Sequence, residues 1–165
     1  MGTKRPIRRC RIVRLICALV LVLLITTPSL GQQSLVGTYK LVSIVLEVGG
    51  TPSQHMGTAP HGYLVITPTH FITFMTAENR KFGTSVDEKA ALFDTLSGFA
   101  GVYRVEGDKL IQTIDVSWTE TLNGKTQVVT YQLSGNRLTG TLGPMPFPRD
   151  PSKMLIRRDV WEKIE

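Results

Sequence analysis

Cysteine is nearly absent from this 165-residue chain: there are two, Cys10 and Cys17, and both lie within the first 31 positions. From Gln32 onward the chain can form no disulfide, thiolate zinc site, iron–sulfur cluster or cysteine nucleophile. Histidine is scarce as well. His55, His61 and His70 follow no zinc-binding spacing, so no metal site is expected and the three read as rim or surface residues. Net charge is missing from the same stretch. Lys4, Arg5, Arg8, Arg9, Arg11 and Arg14 account for the formal +6, whereas from Gln32 onward 13 basic residues face 13 acidic ones. A nucleic-acid-binding face needs a basic excess on the folded part, and this balance supplies none. No glycine-rich phosphate loop follows a strand and no serine sits in a nucleophile elbow, which sets aside nucleotide enzymes and classical serine hydrolases; no cofactor is implied.

Long apolar runs are lacking too. The run Leu15 to Ile25 has 11 residues, where a membrane-crossing helix needs about 20. It follows the basic cluster and precedes Thr26-Thr27-Pro28-Ser29-Leu30-Gly31. A basic start, a short apolar core, a breaker and small residues form the pattern of a secretory signal peptide, here residues 1–31 with cleavage expected after Gly31. An uncleaved membrane anchor is the competing reading. The expectation is an exported protein, periplasmic or secreted, whose folded part is a single domain over residues 32–165.

Short runs rich in Val, Ile, Thr, Tyr and Phe, punctuated by Gly, Pro and Asn, dominate the rest of the chain. Eight strands are expected: 35–47, 62–67, 70–76, 101–106, 109–118, 126–133, 137–142 and 153–161. The proline-rich segment 143–151 reads as a loop, a candidate lid. One segment breaks the rhythm: Ser85-Val86-Asp87-Glu88 offers a capping box, and Ala90, Leu92, Phe93 and Leu96 follow at roughly helical spacing before Gly98. That places one short helix between the third and fourth strands. Eight antiparallel strands must hide their edges, and closure into an up-and-down barrel does so. The fold class expected is therefore all-β, an eight-stranded antiparallel up-and-down barrel. Alternation turns Tyr103, Val105, Val129, Tyr131 and Leu133 inward. The first and last strands carry apolar residues on both faces, which leaves their orientation open.

The residues resemble a known family. Leu35-Val36-Gly37-Thr38-Tyr39-Lys40-Leu41-Val42-Ser43 is similar to the L-x-G-T-W-[KR]-L-x-S start of the lipocalin-like domain family of bacterial and fungal proteins. Gly62-Tyr63-Leu64-Val65-Ile66-Thr67-Pro68 resembles its second strand, and Ala77 to Phe82 its polar stretch after the third. Phe99-Ala100-Gly101-Val102-Tyr103 resembles the entry to its fourth strand, and Trp161-Glu162-Lys163 its close. The chain departs from the pattern at Tyr39, where the family has Trp, at Gln112-Thr113, where a His pair is frequent, and at Val129 in place of an Arg. What the resemblance implies is a calycin-type barrel and, by analogy, a small apolar ligand.

Aromatic residues with a polar tip suit ligand pockets, because they combine contact area with one hydrogen bond. Tyr39, Tyr63, Tyr103, Tyr131, Trp118 and Trp161 are the candidate cavity liners, with plain core packing as the alternative for each. Asp115 sits within the apolar run Leu110 to Trp118. Turned inward, its carboxyl would serve as a ligand anchor or general base; strict alternation instead puts it outside with Thr113 and Ser117, leaving Ile114, Val116 and Trp118 inside. Arg157 or Arg158 is the candidate to stack on Tyr39. The functional expectation is a monomeric carrier of a small hydrophobic molecule. The alternatives are a small barrel enzyme of isomerase, cyclase or hydratase type using Asp115, Tyr103 or a histidine, and an envelope module whose barrel is filled by its own side chains.

Overall fold

The structure is a computed structural model that describes residues 1–2, 34–148 and 150–165. The signal-peptide expectation for residues 1–31 falls outside the described residues apart from the first two. The chain divides into two units, Met1–Ser34 and Leu35–Glu165, and everything below concerns the second.

Alternating apolar and polar residues give that unit strands with one wet and one dry face. They are β1 (Gly37–Val48), β2 (Thr51–Ser53), β3 (His61–Ile66), β4 (His70–Thr76), β5 (Leu96–Glu106), β6 (Lys109–Ser117), β7 (Thr126–Ser134), β8 (Arg137–Phe147) and β9 (Asp150–Lys163), with one helix, α1 (Val86–Asp94). Each long strand pairs antiparallel with its neighbour in chain order, and β1 returns to pair with β9 from Tyr39↔Lys163 to Val48↔Leu155. Eight strands thus close into a barrel. The three-residue β2 is a spur on the end of β1, turned back through Gly49 and Gly50, whose φ values of +58° and +81° suit the left-handed turn that joins such a hairpin. Because β2 takes second place in the chain, the helix lies after the fourth strand rather than between the third and fourth.

Three boundaries also move. The helix stops at Asp94, since the Thr95 hydroxyl and N–H both bond the Leu92 carbonyl and Leu96 already pairs with Thr76 in β4. β5 therefore begins five residues earlier than its expected start at Gly101. The proline-rich segment is not a loop but largely the far end of β8, with Met145 opposite Leu155 and Pro146 opposite Met154. Its prolines are tolerated because β7 pairs with β8 only as far as Leu142, so the missing N–H groups interrupt no ladder on that side.

Two β-bulges set which side chains enter the barrel. In β1 the register slips between Leu41 and Ser43, so Tyr39 and Leu41 point inward before Val42, and Ile44 after it. In β6 the register slips at Asp115: Gly101 faces Ile114 and Ala100 faces Val116, leaving Asp115 as the extra residue. A bulge shifts the alternation by one residue. Tyr39, Phe71, Ile66 and Ile114 are the largest fully buried side chains and mark the centre of the core.

The helix hangs on its cap. Glu88 accepts hydrogen bonds from the Ser85 and Thr84 N–H groups at 2.9 and 2.8 Å, and the Ser85 hydroxyl accepts from the Glu88 N–H. These bonds hold the Glu88 pKa at about 2, against an ordinary 4.5. A depressed carboxyl pKa contributes stability above pH 4.5 that is lost as the pH falls towards about 2. Since α1 buries none of its residues, the loss is local. Acid titration followed by NMR should show the α1 signals shifting over that window, with the difference between the parent chain and Glu88→Gln closing as Glu88 protonates. A midpoint for Glu88 near 4.5 would remove the argument.

Candidate functional site

The barrel interior is mostly core. At its centre lies a cavity of about 40 Å³, enough for one to a few waters rather than a ligand-sized molecule. The opening at one end is larger: about 390 Å³, walled by Ile44 and Leu46 from β1, Met56 from the loop after β2, Leu96 from β5, Trp118 after β6 and Phe147 from β8. Ligand pockets run from roughly 300 to 1,000 Å³ with apolar walls and few polar groups. The polar side chains here are Arg157, His55, Asp94 and Ser97. Arg157 and Met75 also line the inner cavity, so they form the boundary between it and the mouth.

β9 supplies the site's chemistry. On its inward face, at every second position, stand Leu155, Arg157, Asp159 and Trp161, opposite Val48, Leu46, Ile44 and Leu41 of β1. The Arg157 Nε donates to Asp159 Oδ1 at 3.1 Å, and the Trp161 indole N–H donates to Oδ2 at 2.5 Å. Asp159 is 7% exposed, so both oxygens of a buried carboxylate are engaged. Gly140, its partner on β8, makes the space: a Cβ there would lie 2.9 Å from Asp159 Oδ2. Lower in the barrel the Gln127 side-chain amide donates to Gln112 Oε1 at 2.7 Å. Thr73, 4% exposed, lines the inner cavity, and its buried hydroxyl has no hydrogen-bond partner. At the mouth, desolvation and then the charge of Arg157 push the His55 imidazole below its ordinary 6.5.

The candidate residues read from the sequence separate into four places. Trp118 lines the mouth, its ring 4.7 Å from that of Phe93 on α1. Tyr131 and Trp161 line the inner cavity. Tyr39 is buried in the core, and Tyr103 packs half-buried against it. The Tyr39 hydroxyl donates to the Leu35 carbonyl at 2.7 Å and that of Tyr103 to the Thr67 carbonyl at 2.7 Å, with burial raising both phenol pKa values. Tyr63 and Asp115 are outside. Tyr63 is 54% exposed because β3 turns Gly62, Leu64 and Ile66 inward. Asp115 is exposed at its bulge, which also expels Val116 to 60% exposure, so the expected inward set Ile114, Val116 and Trp118 is broken at its middle. Neither arginine stacks on Tyr39: Lys163 does, its Nζ 5.7 Å from the ring centre, while Arg158 pairs with Glu47. His61 and His70 stand at opposite ends of their hairpin, opposite Thr76 and Val102, because antiparallel pairing separates the starts of consecutive strands. Val105, expected inside, is 38% exposed.

Sequence reasoning missed Arg157, Asp159 and Thr73 as site residues. The signal existed, since Arg157, Asp159 and Trp161 recur with period two, but it becomes readable only once Trp161 is known to face inward.

The model of one protein family, described as the lipocalin-like domain, matches residues 36–164. No curated protein matches the chain.

Proposed function

We propose that this chain, which belongs to the lipocalin-like domain family, is an exported monomeric carrier that binds a small hydrophobic molecule at the open mouth of its barrel. The observation that carries the reading is the apolar opening of about 390 Å³ with an arginine at its floor. Its size and make-up match ligand pockets in general. Trp118 on the wall supplies a reporter. Titration of the full chain with lipophilic compounds should change its fluorescence, and Trp118→Phe should weaken the signal, leaving the contribution of Trp161 on the inner cavity. Native mass spectrometry of detergent-free protein should show a bound molecule. Bare protein and unchanged fluorescence across the panel would overturn the reading.

A second reading has its own observation. The inner cavity of about 40 Å³ suits an envelope module whose barrel is filled by its own side chains, and under it the same titrations are silent. The enzyme reading is weaker, because Asp115 faces solvent and the Tyr103 hydroxyl is committed to a backbone carbonyl. Export is tested separately: protein recovered from outside the cytoplasm should begin at Gln32.

A further inference from the structure

We infer that the molecule taken up at this mouth is electrically neutral, with an apolar body and one small oxygen-bearing head that passes beside Arg157 into the inner cavity. This rests on the reading of the mouth as a ligand site and names the chemistry of what enters it. Ketones, alcohols and simple esters fit the description; carboxylates and phosphates do not.

Three observations converge on it. The first is the state of the arginine. A guanidinium has five N–H donors, and among the described residues Asp159 is the acceptor Arg157 engages, through Nε. The remaining donors stand at the junction of mouth and inner cavity, both of which Arg157 lines. The second is Thr73. It lines the inner cavity and its buried hydroxyl has no partner; a buried polar group without a partner costs free energy that an incoming oxygen, met by rotation of the hydroxyl, would relieve. The third is size. About 40 Å³ admits a small head such as a carbonyl or hydroxyl and not a sugar ring, since one water needs roughly 10–15 Å³ on the same measure.

Charge decides between a neutral head and an acid. Arg157 is already matched by Asp159, whose two oxygens are both engaged and cannot turn away. A carboxylate entering the cavity would bring a second negative charge beside Asp159, which also lines it. Desolvating that charge would go unrewarded. A ketone oxygen accepts from Arg157 or Thr73 without bringing charge.

The test uses the full chain at neutral pH and three probes of equal length: a ten-carbon methyl ketone, the corresponding carboxylate and the hydrocarbon. Trp118 fluorescence and calorimetry report binding. The ketone should bind about tenfold or more tightly than the carboxylate, and more tightly than the hydrocarbon. Thr73→Val, which removes an unpartnered hydroxyl at nearly constant shape, should narrow the gap between ketone and hydrocarbon. A carboxylate that binds as well as the ketone, or a Thr73→Val chain with an unchanged gap, would overturn the inference while leaving the mouth a ligand site. Silence from all three probes would remove the ligand site itself, and the inference with it.

Discussion

Replacing Asp159 by alanine should destabilise the barrel by about 3–5 kcal/mol, the usual cost of breaking a buried pair and stranding its partner. The substitution removes the acceptor of both the Arg157 Nε and the Trp161 indole N–H. The Arg157 side chain, only 16% exposed, then keeps a charge with no counterion beside it. Urea denaturation should show a lower midpoint at an unchanged slope, and the melting temperature should fall by roughly 10 °C or more. The pair is not expected to be worth that much in itself. Replacing both members by apolar residues of similar volume, Arg157→Met with Asp159→Leu, should recover most of the loss, because the desolvation cost disappears with the charges. A single variant that loses under about 1 kcal/mol would mean that water entering from the mouth solvates Arg157.

Gly101→Ala should cost about 3 kcal/mol or more, beyond the usual range for one added methyl, because the obstacle is backbone instead of a movable side chain. A Cβ built on Gly101 clashes with the carbonyl oxygen of Thr113 and lies 2.9 Å from the carbonyl carbon. Gly101 is the residue that faces the β6 bulge, where the strand crowds against β5 to accommodate Asp115. The protein can relieve the clash only by separating the two strands or by losing the bulge. Either shift should be visible as large amide changes confined to β5 and β6, together with a lower denaturation midpoint. A Gly101→Ala chain of parental stability would show that the bulge has room the present geometry does not provide. Deleting Asp115 is the complementary change: it removes the extra residue, so simple alternation from Ile114 leaves Val116 outside and Ser117 inside, the phase both already have.

These two sites show how far local reading reaches. Strand-forming runs were legible where alternation was clean, as in β7, where Val129, Tyr131 and Leu133 do face inward, and the capping box at Ser85 placed the start of α1 correctly. Alternation put Asp115 outside, where it is, and failed at Val116 for one reason. A bulge inserts a residue into one strand to suit its partner, so the phase beyond it depends on Gly101, some fourteen residues away, and not on the neighbouring sequence. β1 carries the same device at Val42, and this explains its apolar residues on both faces.

By itself the sequence determined the element types, the order of the long strands, the charge-neutral and cysteine-free character of the folded part, and the all-β class, because each follows from composition and short-range periodicity. Tertiary structure alone decided the site. Closure of β1 onto β9 is a pairing across nearly the whole domain, and it puts Leu46 beside Arg157 and Ile44 beside Asp159. Only then does a charged pair on the last strand turn inward, and only then does Trp118, rather than Tyr63 or Asp115, share a cavity wall with it. The physical cause is that alternation specifies two faces without specifying which is dry; burial chooses between them, and burial is a property of the closed barrel.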